Sequence, residues 1–140
     1  MIDKDYAVKV LKSVQYRMIK YQAINERINA LKLYEKVAPS LNAISKQEMI
    51  KEVLEDEKDK SLEDYIKYHE FSVKMLENEI NKVTKAIDLI SKKDNDCATI
   101  LYLIYFQRKT KSECASYLRY DKAKVYKLYD EAIKLFAQVY

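Results

Sequence analysis

The stretch Thr110–Ala132, "TKSECASYLRYDKAKVYKLYDEA", decides how the C-terminal third of the chain is read. Thr110 and Glu113 have the spacing of a capping box, in which each side chain satisfies the other's backbone N–H, so a helix is expected from about Lys111. Ala115 and Leu118 then face inward. Asp121 is a good N-cap for a second helix, on which Val125, Leu128, Ala132 and Phe136 line one face. A small Ala at the crossing, a short turn, an N-cap and a β-branched residue four positions later is the arithmetic of a helix-turn-helix. The same caps and stripes serve any pair of packed helices, and "LRYD" lacks the glycine that such turns commonly use.

The chain of 140 residues contains no glycine and one proline, which removes the usual punctuation of hairpins and β-turns. Apolar residues make up 49% and charged residues 34%, the balance of a globular chain. Helix-tolerant Lys, Glu, Leu, Ile and Ala are abundant. The expected fold class is all-α: a long-helix hairpin or coiled-coil N-terminal part, then a C-terminal helix-turn-helix.

Upstream, Ala7, Val14, Tyr21 and Ile28 recur every seven residues with Val10, Ile24 and Leu31 between them. This apolar stripe predicts one helix from about Asp3 to Ala38, stopped by Pro39. "PSLNAI" reads as a loop. Ser45 and Glu48 then form a capping-box pair ahead of a short helix with Met49, Ile50, Val53 and Leu54 on one face. "EDEKDK" is a solvated charge run, and Ser61 with Asp64 repeats the start signal. From Leu62, the residues Ile66, His69, Val73, Leu76, Ile80, Val83, Ile87 and Ile90 follow a 4-3 spacing. That heptad seam needs a partner: the first helix, a second subunit, or both. His69 lies on the seam, where a hydrogen-bonded core histidine that helps to fix register is the plainest reading. Asp94, Asn95 and Asp96 break the helix, and a further element, Cys97–Phe106, follows. The motifs divide the chain into residues 1–93, a helical region for dimerisation or partner binding, and residues 94–140.

Net charge is +4 but uneven. Residues 1–45 carry 8 basic and 4 acidic side chains, and residues 46–64 carry 4 and 8. Such a balance permits nucleic-acid binding without demanding it. Neither a Gly-rich phosphate loop nor a Ser/His/Asp, Cys/His or metal-ligand constellation occurs, so no enzyme, cofactor or metal is expected. Cys97 and Cys114 are isolated and read as small buried hydrophobes. With no signal peptide and no spanning apolar run, the expected location is cytoplasmic, in a bacterial host cell, without a membrane partner.

If the second helix of the opening stretch enters a DNA groove, its first turns must be exposed. Lys122, Lys124, Tyr126 and Lys127 are there, while Lys111, Ser112 and Arg119 lie where phosphates would pass. "LYLIYFQRKTKSECASYLRYDKAKVYKLYDEAIKLF" resembles region 4 of bacterial sigma factors. Tyr105, Phe106, Thr110, Glu113, Ala115, Leu118, Val125, Ala132 and Ile133 fall on that pattern. Asp121 stands for its capping Ser and Cys114 for an Ile, and Ile104 replaces a frequent Arg. Arg108 and Arg119 replace its two usual glycines. Arg119 must therefore adopt a left-handed conformation, costing on the order of 1 kcal/mol, or use another turn geometry.

In helical order alone, the whole chain resembles phage late-gene transcription activators of the RinA-like and ArpU-like kinds. The resemblance implies a sequence-specific regulator of phage or prophage genes that binds double-stranded DNA, with host RNA polymerase or another host protein as a further partner. The 4-3 seam and the gain from pairing two copies on neighbouring half-sites predict a homodimer. A residual stripe of Leu11, Met18 and Leu33 on the first helix is available between subunits, and an antiparallel hairpin within one chain is the competing arrangement. A small phage protein that inhibits or adapts a host polymerase or defence nuclease is the alternative.

Overall fold

The structure, a computed structural model, describes residues 2–37 and 62–140. These residues form five α-helices and one π-helical turn, with no strand among them, so the protein is all-α. Helix α1 is Lys4–Val37, α2 is Leu62–Lys93, and α3 is Asn95–Leu101, continued by the π-helical turn Tyr102–Phe106. Helices α4, Lys111–Leu118, and α5, Lys122–Val139, complete the chain. The expected stop at Pro39, the "PSLNAI" loop, the Ser45–Glu48 box with its short helix, the "EDEKDK" run and the Ser61 cap lie outside the described residues.

Local chemistry sets the helix ends. The Asp3 carboxylate accepts the Tyr6 N–H at 2.7 Å and starts α1. Asp94 is extended and accepts the N–H groups of Asp96 and Cys97 at 3.1 and 3.2 Å, so one residue suffices to separate α2 from α3. The π-helical turn was not expected. It widens the helix, and its carbonyls find partners outside the usual ladder. Tyr102 C=O accepts the Gln107 N–H at 3.1 Å, Leu103 C=O the Lys109 N–H at 2.8 Å, and Ile104 C=O the Gln15 side-chain amide at 3.1 Å. Arg108, between the first two donors, has φ 56°.

The residues pack as two compact units. One comprises residues 1–18 and 78–140, the other residues 19–77. They do not coincide with the 1–93 and 94–140 regions read from the sequence, which divide the chain by motif and not by packing. In the first unit, Ala7, Val10, Leu11 and Val14 of α1 join Val83, Ala86, Ile87 and Ile90 of α2. Cys97, Ala98 and Leu101 of α3, Tyr105, and Ala132, Ile133, Phe136 and Ala137 of α5 close this core. Leu11 belongs to it, fully buried, and so is not available for the subunit contact that a stripe of Leu11, Met18 and Leu33 predicts. The reason is that this part of α1 shares its core with α5 as well as α2, which covers more than one stripe.

In the second unit, Leu31 of α1 packs with Tyr65 and Ile66 of α2, and Lys32 pairs with Glu70 at 3.6 Å. His69 is buried against the rings of Tyr65 and Tyr68, with centroids 4.9 and 5.6 Å away. Within each unit α1 packs on part of the heptad seam, on Val83, Ile87 and Ile90 in the first and on Ile66 in the second. His69 is buried as well, while Leu62, Val73, Leu76 and Ile80 are half-buried.

Candidate nucleic-acid interface

Helix α4 begins at a complete capping box. Glu113 N–H donates to the Thr110 hydroxyl and Thr110 N–H donates to the Glu113 carboxylate, both at 3.1 Å. The Thr110 backbone N–H, then the Thr110 hydroxyl and the Lys109 ammonium, hold the Glu113 carboxyl below its ordinary value. The helix ends at Arg119, which is left-handed with φ 59° and ψ 42°. Arg119 N–H and Tyr120 N–H both donate to Ala115 C=O, the second at 3.0 Å, which closes the last turn of α4. This is the conformation that usually selects glycine, held here by an arginine. The Asp121 carboxylate then accepts the Lys124 N–H at 2.8 Å and starts α5.

Three residues, Arg119–Tyr120–Asp121, therefore join α4 to α5. Cys114 and Ala115 of α4 and Val125 of α5 form a small buried cluster with Ile100 and Leu103. Leu118 and Leu128 are half-buried against it. The inward positions expected from the sequence are the ones that pack. Tyr120 ties the turn to the rest of its unit, because its hydroxyl donates to Asp96 at 2.7 Å. That bond and the nearby carboxylate charge hold the Tyr120 phenol in its neutral form to higher pH than usual.

Of the seven residues singled out for DNA contact, Ser112, Arg119, Lys122, Lys124, Tyr126 and Lys127 are exposed, on the first turn of α4, the turn and the first two turns of α5. Lys111 is half-buried. Its ammonium lies 4.4 Å from the centroid of the Tyr126 ring and 4.3 Å from that of Tyr129. Lys124 similarly lies 3.7 Å from the Tyr120 ring centroid. Between Thr110 and Leu128 there are five basic residues and two acidic ones, and both acids are engaged as caps. The exposed side of this segment is thus cationic, with Tyr117 and Tyr126 interleaved, 69% and 49% exposed.

Sequence reasoning missed Ala123, which is exposed in the first turn of α5, and the tyrosines beneath the surface. The Tyr129 hydroxyl pairs with that of buried Tyr105. The i, i+3 spacing of Tyr126 and Tyr129 was visible, but a lysine from another helix lying between their rings was not.

Cys97 and Cys114 are free and fully buried. Burial, then the Asp94 carboxylate, pushes the Cys97 thiol up to about 12, and burial raises Cys114 too. No group of three metal-ligating side chains occurs among the described residues. None of their helices is long and apolar enough to cross a membrane. No family model, no curated protein and no solved structure matches the chain.

Proposed function

We propose that the segment from Asp94 onward is a sigma region 4-like helix-turn-helix that binds duplex DNA, and that the protein regulates transcription of phage or prophage genes. The observation that carries this reading is the pair Arg108 and Arg119. They stand where the region 4 pattern has glycines, and they are the two positive-φ residues among those described. A backbone that keeps the glycine conformation without the glycines supports a shared turn geometry, in addition to the Thr110 and Asp121 caps. Lys122, Lys124 and Lys127 then supply phosphate contacts from α5, and Ser112 and Arg119 flank them. The α4–α5 pair acts as a reader and not a catalyst, in the cytoplasm of a bacterial host.

A homodimer on neighbouring half-sites would give so lightly charged a reader its site length and affinity. The DNA side carries that argument, since α1 already packs on seam residues of α2 within each unit. Host RNA polymerase or another host protein is the further partner of this reading. Fluorescence anisotropy against promoter fragments from the protein's own gene neighbourhood tests it. Binding that weakens steeply with added salt supports it, and equal, negligible affinity for every fragment at low salt contradicts it.

One observation favours the second reading, a protein-binding inhibitor or adaptor. In the unit of residues 19–77, Tyr68, Phe71 and Met75 are each more than half exposed and, with Ile24 and Leu76, line a groove of about 510 Å³ rimmed by Arg27. Under that reading, charge reversal at Arg27 changes activity while the α5 lysines are dispensable.

A further inference from the structure

We propose that Tyr126 reads a thymine through its C5-methyl group, and that Lys111 is a positioning residue which holds Tyr126 for that task. The inference rests on the DNA-binding reading above and assigns its base preference.

A chain of contacts leads from the core to the surface. Tyr105 is buried, and its hydroxyl pairs with that of Tyr129. The Tyr129 ring is one neighbour of the Lys111 ammonium, at 4.3 Å, and the Tyr126 ring is the other, at 4.4 Å. Both distances fall inside the range over which a cation is attracted to an aromatic face. Lys111 comes from the first turn of α4, and the tyrosines stand three residues apart on α5, where side chains are neighbours. Tyr126 is thus braced by a lysine that is itself seated on an anchored ring. A side chain ordered before binding loses less rotamer freedom when it binds.

Tyr126 is the fifth residue of α5, within the N-terminal turns that contact base edges when such a helix lies in the major groove. It is half exposed among the exposed Lys122, Lys124 and Lys127. Its hydroxyl can donate or accept, so hydrogen bonding alone discriminates poorly among bases. Its ring is apolar, and the apolar feature of the major groove is the thymine methyl. Ala123, exposed three residues earlier, extends the same apolar strip without adding bulk. Lys111 looks in sequence like a phosphate contact. With its ammonium between two rings, its effect on DNA passes through Tyr126.

The experiment uses the full chain and duplexes chosen by selection from a random pool. Each thymine of the selected site is replaced in turn by deoxyuridine, which removes only the methyl. The expected result is a loss of about fourfold at one position, the value of one buried methyl group. Tyr126→Ala should lower affinity and abolish that position's sensitivity. Lys111→Met should reduce the sensitivity in the same way, leave the slope of log affinity against log salt unchanged, and add little in the double variant. Lys111→Arg should restore it, since a guanidinium also stacks on aromatic faces. In the free protein, the Lys111 side-chain methylene protons should be shifted upfield by the rings, and Tyr126→Ala should weaken the shift, a readout that needs no DNA.

Insensitivity to deoxyuridine at every position overturns the thymine assignment. A slope reduced by about 0.9 in Lys111→Met, with discrimination intact, makes Lys111 a phosphate contact and overturns its positioning role. An unmodified protein that binds no duplex overturns the DNA-binding reading itself, and this inference with it.

Discussion

Arg119 sets the most direct test of the turn, because the conformation and the charge of one residue can be separated by two substitutions. A non-glycine residue in the left-handed region costs about 1–2 kcal/mol, and Arg119 lies there at φ 59° and ψ 42°. Arg119→Gly removes that strain but admits more freedom in the unfolded chain, which returns about 0.5–1 kcal/mol. The arginine side chain is exposed, so little packing is lost. The net expectation is a gain of about 0.5–1 kcal/mol, or roughly 2–4 °C in Tm for a chain of this size. Arg119→Ala is the control: it removes the charge and keeps the strain, so its stability should stay near that of the parent. Urea unfolding followed by helical circular dichroism measures both, with the midpoint moving and the slope constant. Arg108→Gly should repeat the gain at the second left-handed position. If Arg119→Gly is no more stable than Arg119→Ala, the turn does not hold Arg119 left-handed and the reasoning fails.

Other consequences can be checked separately. Ile87 is fully buried and Leu76 is half-buried, so Ile87→Ala should cost about 2–5 kcal/mol and Leu76→Ala clearly less; equal losses in chemical denaturation would contradict the packing. Glu113 has a lowered pKa, so its contribution to the α4 cap is complete above the ordinary carboxyl value of 4.5 and fades as pH falls below it. Amide exchange at the start of α4 should therefore rise in acid relative to Glu113→Gln, and parallel profiles would refute the role. Cys97, raised to about 12 by burial, and Cys114 should both resist a disulfide reagent at pH 8 until the protein unfolds. Rapid labelling of the folded protein would show one of them to be accessible.

The parts of this fold that depend on neighbours in sequence were legible, and those that depend on neighbours in space were not. Thr110 with Glu113, and Asp121, announce the starts of α4 and α5 because a cap is a contact over two or three residues. The seam from Leu62 to Ile90 announces α2 because its period is that of a helix. The same seam could not reveal that Leu76 and Ile80 would be only half-covered, since that depends on where α1 runs. Leu11 stands beside the apolar stripe of the first helix and is buried for the same reason, as α5 enters its core from a distant part of the chain. The π-helical turn has no sequence signature of its own, and part of its bonding comes from Gln15, 89 residues from the carbonyl it serves. At the candidate interface, the exposed lysines of α5 follow from its apolar face by subtraction. The seating of Lys111 between Tyr126 and Tyr129 needs the α4–α5 crossing itself.

The proposed grip of the cationic side of α5 on duplex DNA predicts a strong salt dependence of binding. Affinity for a selected duplex should fall linearly with log salt, by about 0.9 log units per decade for each phosphate neutralised. Lys122→Ala/Lys124→Ala/Lys127→Ala should keep the parent's helical spectrum and melting temperature, since all three side chains are exposed. It should bind more weakly at low salt, with a slope shallower by about 2–3. A triple variant with the parent's affinity and slope would mean that these lysines do not touch phosphates.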